Sequence, residues 1–399
     1  MPIKDTNAIV VGGIKLIIGN SACREVGKEA KGQGIAKMLV VTDQQIASLG
    51  LHEEVLQSLQ SQGIAYALFD QVPSDPPVSI VEQGAAFCRA EGCNGVVAIG
   101  GGSVMDCAKA INMMSTNEGC ILEYDNSPSG GRKFASAGYP LFCIPTTSGT
   151  GSEVTQYAVI TDEKNGRKAT IGDPRLVSKA AFLNPCLTLD LPPRITAATA
   201  VDALAHAIEA YTSNRVITVL GSSVFSDTYD LQAIRLIACS LRTAYAQGHV
   251  LEARKNVMLG ATMAGLVSQA GSGAAHGMGT PLGARFHVSH GEAVGVMLPY
   301  VMEYNLCACP ERFAQIAQAL GVPVEGMTAM DAARAGVAEL KQLLRDVDFP
   351  TLQQLVPEES ALNLLAEDAV KDHCCALNAR VIRDPKITLM LYQRAWKQL

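Results

Sequence analysis

Short apolar runs alternate with helical stretches through the first half of the chain, and then the alternation stops. "KMLVVTD" (37–43), "AYALFD" (65–70), "GVVAIG" (95–100) and "PLFCIPTT" (140–147) each read as a buried strand; "LHEEVLQSLQSQG" and "SIVEQGAAFCRAEG" read as helices between them. Strands separated by helices pair in parallel through crossovers, so the pattern predicts a mostly parallel sheet covered on both faces. "YAVITDEKNGRKATIGD" reads instead as strand–turn–strand, with "EKNG" as the turn. From about residue 195 onward, alanine- and leucine-rich stretches of helical period replace the β-branched runs. The boundary is expected at Pro192–Pro193, where neither element continues easily. The expectation is an α/β domain over 1–192 and an all-helical domain over 193–399.

A chain of 399 residues exceeds the size at which one core stops growing, which agrees with two domains. With 48% hydrophobic and 18% charged residues it has the makeup of a compact enzyme rather than a disordered chain. A net charge of −6 gives no electrostatic case for nucleic acid or an anionic membrane as partner. The 12 cysteines are scattered, Cys374 and Cys375 are adjacent, and Cys307 and Cys309 are too close for familiar zinc spacings. They read as buried thiols of a reducing compartment. "MPIKDTNAIVVGG" has neither the basic nor the long apolar region of a signal peptide, and no apolar run is long enough to span a bilayer. A soluble, cytoplasmic protein is expected.

"VVAIGGGSVMDCAKA" (96–110) is a strand, three glycines, a serine and a helix. Gly100, Gly101 and Gly102 let backbone approach a pyrophosphate, and the helix start at Ser103 offers free N–H donors; the other reading is a βα turn needing positive φ. The stretch does not match G-x-G-x-x-G. "IPTTSGTGSEVT" (144–155) ends another strand, and Thr146, Thr147, Ser148 and Thr150 either bond ribose and phosphate oxygens or form an ordinary polar loop. Asp43 closes the strand "KMLVVTD", where a carboxylate can hold ribose hydroxyls and repel a 2′-phosphate, or simply cap the next helix.

"VDALAHAIEA" (201–210) places Asp202 and His206 four residues apart on one helix face. Alone, such a pair is commonly an i,i+4 ion pair. Three of the seven histidines, however, fall in "AAHGMGTPLGARFHVSHGEAVGVMLP": His276, His287 and His290. One carboxylate with two or three imidazoles suits Fe(II) or Zn(II), not Mg or Ca.

Taken in order, "VVTD", "AIGGGSVMDCAKA", "PTTSGTGSEVT", "VDALAHAIEAY", "HGMGTPLGARFHVSHG" and "RFAQIAQALGV" resemble the iron-containing, group III alcohol dehydrogenases over nearly the whole chain. The resemblance implies a dinucleotide-binding α/β domain and a helical metal-binding domain, an architecture shared with dehydroquinate synthase-like lyases. It implies Asp202, His206, His276 and His290 as metal ligands, Gly100–Ser103 as the pyrophosphate loop, and Asp43 as the carboxylate of NAD-preferring members. It also implies Thr146, Thr147, Ser148 and Thr150 against ribose and nicotinamide, and Lys168 near the cofactor. The implied activity is NAD(H)- and Fe(II)- or Zn(II)-dependent alcohol oxidation or aldehyde reduction by a homodimer or higher homo-oligomer. The weighed alternatives are a dehydroquinate synthase-like lyase and a non-redox metallohydrolase.

The family commonly places a second histidine four residues after the third ligand; here that position is Thr280. His287 is the nearest remaining imidazole for passing the alcohol proton outward. Arg285 lies on the segment between two implied ligands, where its fork can receive an anionic group on a short aldehyde, or else reach solvent or pair with Glu292.

Overall fold

The computed structural model describes residues 6–126, 131–214, 223–267 and 271–398. They divide into two compact units, one of Met1–Thr147 with Ser152–Thr188, the other of Ser148–Gly151 with Leu189–Leu399.

The first unit holds β1 (Asn7–Val11), β2 (Ile14–Ile18), β3 (Lys37–Val41), β4 (Ala65–Phe69), β5 (Gly95–Gly100), β6 (Leu141–Pro145), β7 (Tyr157–Asp162), β8 (Arg167–Gly172) and β9 (Ala180–Leu183). Seven strands form one sheet in the order β1-β2-β9-β6-β5-β3-β4, and β7-β8 make a separate antiparallel pair. Within the seven, only the β1–β2 pairing is antiparallel. The turn between β1 and β2 is Gly12-Gly13, both at positive φ, as a two-residue hairpin turn requires. Side-chain alternation along β3 sends Met38 and Val40 to one face and Leu39 and Val41 to the other, each into its own apolar cluster. The helices Val26–Gly32 and Glu53–Ser61 cover the first face, and Val78–Ala90 and Gly102–Met114 cover the second. That double burial is why the strands read as continuous apolar runs.

The strand order reverses between β3 and β5. β3 leads outward to β4, whereas β5 and β6 build in the other direction. Their C-terminal ends therefore lie side by side at a topological switch point, where open α/β sheets bind their ligands. The Thr42 hydroxyl donates to the Ile99 carbonyl across this junction at 2.8 Å.

Among its described residues the second unit contains helices and no strand. Its first helix, Pro193–Thr212, begins at the second proline of the pair. Proline at the first helical position lacks only an N–H that would be unbonded anyway, so the Pro-Pro step starts the helix rather than merely interrupting the chain. The helices Val224–Ala246, Leu251–Val267, Ala274–Phe286 and His290–Gly295 pack with it around one large apolar core.

Candidate metal centre and nucleotide loop

Three helices of the second unit bring the charged cluster together. Pro193–Thr212 is alanine-rich and almost wholly buried, so its Asp202 and His206 point into protein rather than solvent. Ala274–Phe286 presents His276 in its first turn, and His290 opens the helix His290–Gly295. Gly291 lets this last helix meet the first on bare backbone: a Cβ there would lie 2.1 Å from the Ala198 carbonyl oxygen.

Asp202 Oδ1 lies 3.7 Å from His276 Nε2 and 3.5 Å from His290 Nε2. Asp202, His276 and His290 each offer a ligand atom within 4.8 Å of the other two. His206 flanks this trio, with Nδ1 3.8 Å from Asp202 Oδ2 and its ring centroid 4.4 Å from that of His276. Burial drives the His206 imidazolium down to about 4, against the pull of Asp202. Burial opposes ionisation of Asp202 as well, but the three imidazoles together hold it below the usual carboxylate range.

Asp202 Oδ1, His206 Nδ1 and His276 Nε2 are all buried without a hydrogen-bond partner among the described residues. Each such orphan costs about 1–3 kcal/mol. A cation held among them removes the cost, and a carboxylate with imidazoles is a donor set that fits Fe(II) or Zn(II).

The sequence reading missed Glu209. It lies seven residues after Asp202 on the same helix and is buried. Its Oε2 sits 2.6 Å from His276 Nδ1 and accepts from the Gly273 N–H at 2.8 Å, while Oε1 accepts from the Ala275 N–H at 2.7 Å. The signal was available: i and i+7 share a helix face, so "DALAHAIE" sets a third polar side chain in line with the first two.

In the first unit, Gly101 caps the helix Gly102–Met114 with extended backbone and no side chain to bond the first N–H groups. None of Gly100, Gly101 and Gly102 is at positive φ, so turn geometry is not why they are glycine. At Gly100 space is: a Cβ there would lie 2.6 Å from Val104, whereas one on Gly101 would make only ordinary contact with Thr147, at 3.4 Å. Ser103 lies in the first turn of this helix. Asp43 caps the helix Gln44–Ser48, accepting from the Ile46 N–H at 2.8 Å. Thr146 is buried and bonded through its N–H to the Gly100 carbonyl, so the two loops meet at the ends of β5 and β6. Ser148 and Thr150 group with the helical unit instead. Lys168, on β8, is half-exposed and paired with Asp75 at 2.5 Å.

The remaining residues lie on the helix that carries His276 and at its C-terminal end. The Thr280 hydroxyl is 2.9 Å from Asp372 Oδ2 and 3.2 Å from the His276 carbonyl. His287 ends the helix in the left-handed region, exposed. The Arg285 fork closes on Asp368, with Nε at 2.8 Å and Nη2 on the same oxygen, and is not paired with Glu292. Glu292 is taken by Arg194.

Comparison with known proteins bears on the fold and the family. A family model described as iron-containing alcohol dehydrogenase matches residues 14–185, and the model of the C-terminal domain of the Fe-containing alcohol dehydrogenase family matches 196–396. A choline dehydrogenase of Bacillus subtilis (strain 168) is 39% identical, with 95% of this chain and 92% of the relative aligned. A lactaldehyde reductase of Escherichia coli (strain K12) is 35% identical over 95% and 97% of the two chains. The solved structure of a 1,3-propanediol oxidoreductase superposes with a TM-score of 0.91 at 34% identity, covering 98% of this chain and all of the other. The chain belongs to the iron-containing alcohol dehydrogenase family, whose members oxidise alcohols and reduce aldehydes.

Proposed function

We propose that the protein is a metal- and NAD(H)-dependent alcohol dehydrogenase that interconverts short-chain alcohols and aldehydes. The observation that carries this reading is the set of buried, unbonded donors on Asp202, His206 and His276, beside His290. These four residues would hold Fe(II) or Zn(II). When bound, the cation supplies a Lewis acid for the substrate oxygen, and the nicotinamide supplies the hydride acceptor or donor.

The chain's own residues bind and orient. The N–H groups at Gly102 and Ser103, with Gly100 and Gly101 clearing space, receive the pyrophosphate at a helix start. Asp43 accepts ribose hydroxyls with the oxygen its cap bond leaves free and disfavours a 2′-phosphate. The hydroxyls of Thr146, Thr147, Ser148 and Thr150 line the cofactor, and Lys168 adds positive charge nearby. His287, exposed, exchanges the alcohol proton with water, and the Thr280 hydroxyl donates to Asp372. Arg285 already has its fork engaged by Asp368, which favours neutral aldehydes over anionic ones. The β1 edge, with Ile9 and Val10 exposed, favours pairing between copies of the chain. No described helix is long and apolar enough to cross a membrane, in keeping with a cytoplasmic enzyme.

The test is NADH consumption on adding propanal or glycolaldehyde to protein loaded with Fe(II) or Zn(II). The expected result is turnover that a chelator abolishes and metal restores. Turnover unaffected by metal stripping, or hydrolysis without NADH consumption, overturns the reading.

A further inference from the structure

Glu209 stands behind His276 in a way that a helix cap alone does not require. Its carboxylate takes three donors: the Gly273 and Ala275 N–H groups and His276 Nδ1. The neighbouring Ala274 N–H goes to Asn378 Oδ1 at 3.3 Å, and Asn378 is itself locked by reciprocal bonds with Asn305, both 2.8 Å. Three successive N–H groups at the start of the helix Ala274–Phe286, those of Gly273, Ala274 and Ala275, are thus bonded within the protein, with Glu209 at the positive end of its dipole. Two backbone donors and the dipole keep that carboxylate an acceptor, so His276 must present N–H on Nδ1 toward it. The opposite nitrogen, Nε2, is then the unprotonated one in neutral imidazole, and it is the buried orphan facing Asp202.

We propose that Glu209 is a positioning residue for the metal: it fixes the His276 tautomer and ring and raises the basicity of Nε2 toward the cation. The inference rests on the metal reading above. Histidine ligands held by such a carboxylate lose about 10- to 100-fold in metal affinity when the carboxylate is removed.

The experiment measures Co(II) and Zn(II) dissociation constants by chelator competition on the full chain, with melting of the metal-free protein and the Co(II) absorption spectrum alongside. Glu209→Gln keeps shape but leaves one donor facing an amide N–H; affinity should fall about 10- to 100-fold with an altered Co(II) spectrum. Gly273→Ala gives a second route, because a Cβ there would lie 2.7 Å from Glu209 Oε1 and push the intact carboxylate aside. It should weaken binding in the same direction. Asn378→Ser removes the neighbouring cap bond together with the Asn378 bonds to Asn305 and Arg380, none of which involves Glu209 or His276, and should lower the melting temperature while changing metal affinity less than about threefold. If Glu209→Gln destabilises the metal-free fold yet binds metal as wild type does, Glu209 is a cap and the proposal fails. If wild type itself binds neither Co(II) nor Zn(II), the metal reading fails, and this role with it.

Discussion

Arg194 and Glu292 tie the helix that carries Asp202 to the helix that carries His290, with Nε 2.6 Å from Oε1. The arginine side chain is 75% exposed and the carboxylate 5%, so the two ends differ in what their removal leaves behind. Among the described residues the Ser289 hydroxyl, 2.7 Å away, is the other group on Glu292. Arg194→Ala leaves a buried carboxylate with that single hydroxyl and should cost about 1 kcal/mol after allowance for solvent screening. Glu292→Gln keeps the shape without the charge and should cost less. Melts of the metal-free variants check the order, and the reverse order would show that the arginine contributes nothing to holding the helices.

His276→Ala and His206→Ala each remove one of four donors. Both should lose at least about 100-fold in metal affinity, more than loss of the supporting carboxylate costs. Activity should fall with metal content. His276→Ala should be the more severe, since His276 belongs to the close trio and His206 flanks it. Metal analysis of the purified variants decides it.

Asp43 both caps a helix and carries the charge proposed to reject a 2′-phosphate. Asp43→Ser separates the two, because serine caps about as well as aspartate. The ratio of kcat/KM for NADPH to that for NADH should rise about tenfold or more with the melting temperature unchanged. An unaltered ratio would leave Asp43 as a cap alone.

Asp230 is buried in the helix Val224–Ala246 with Oδ1 unbonded among the described residues. Burial, and then Asp227, hold its carboxyl well above the usual range in spite of Arg312. The folded state keeps a proton that the unfolded chain releases near its ordinary value, so stability is lost as pH rises above about 4. Asp230→Asn should therefore raise Tm at pH 8 by about 2–4 °C per kcal/mol recovered and leave it unchanged near pH 4. Calorimetry at the two pH values checks the sign.

Arg285→Ala should alter KM for neutral and anionic short aldehydes alike, because the guanidinium is held by Asp368, which Lys371 also contacts at 3.0 Å. A rise in KM confined to the anionic aldehyde would show that the arginine leaves Asp368 to meet substrate.

The parallel sheet was legible because both faces of β3, β5 and β6 are buried, which makes the strands continuous apolar runs. The convergence of Asp202 and His206 was legible because i,i+4 spacing fixes them on one face whatever packs around them. The place of Glu209 on that face was in reach of the same spacing argument, but its partners were not, since Gly273 and His276 lie more than sixty residues away in sequence. The partners of Lys168 and Arg285 escaped for the same reason: Asp75 and Asp368 reach them only through the fold. Glycine's two uses, free φ and small size, are also indistinguishable in sequence. At Gly12-Gly13 the first operates; at Gly100 the second does.

Gly291, against the Ala198 carbonyl, decides which parts of such a protein are free to change over evolutionary time. The separation of the two ligand helices is set by an absent side chain, and no substitution among the neighbouring side chains can offset a methyl group that strikes main chain. Drift in this region is blocked in one direction, toward larger residues, however favourable the new chemistry. Variation must accumulate at positions whose neighbours can yield, while the approach of the helices that carry Asp202 and His290 stays fixed as a backbone distance.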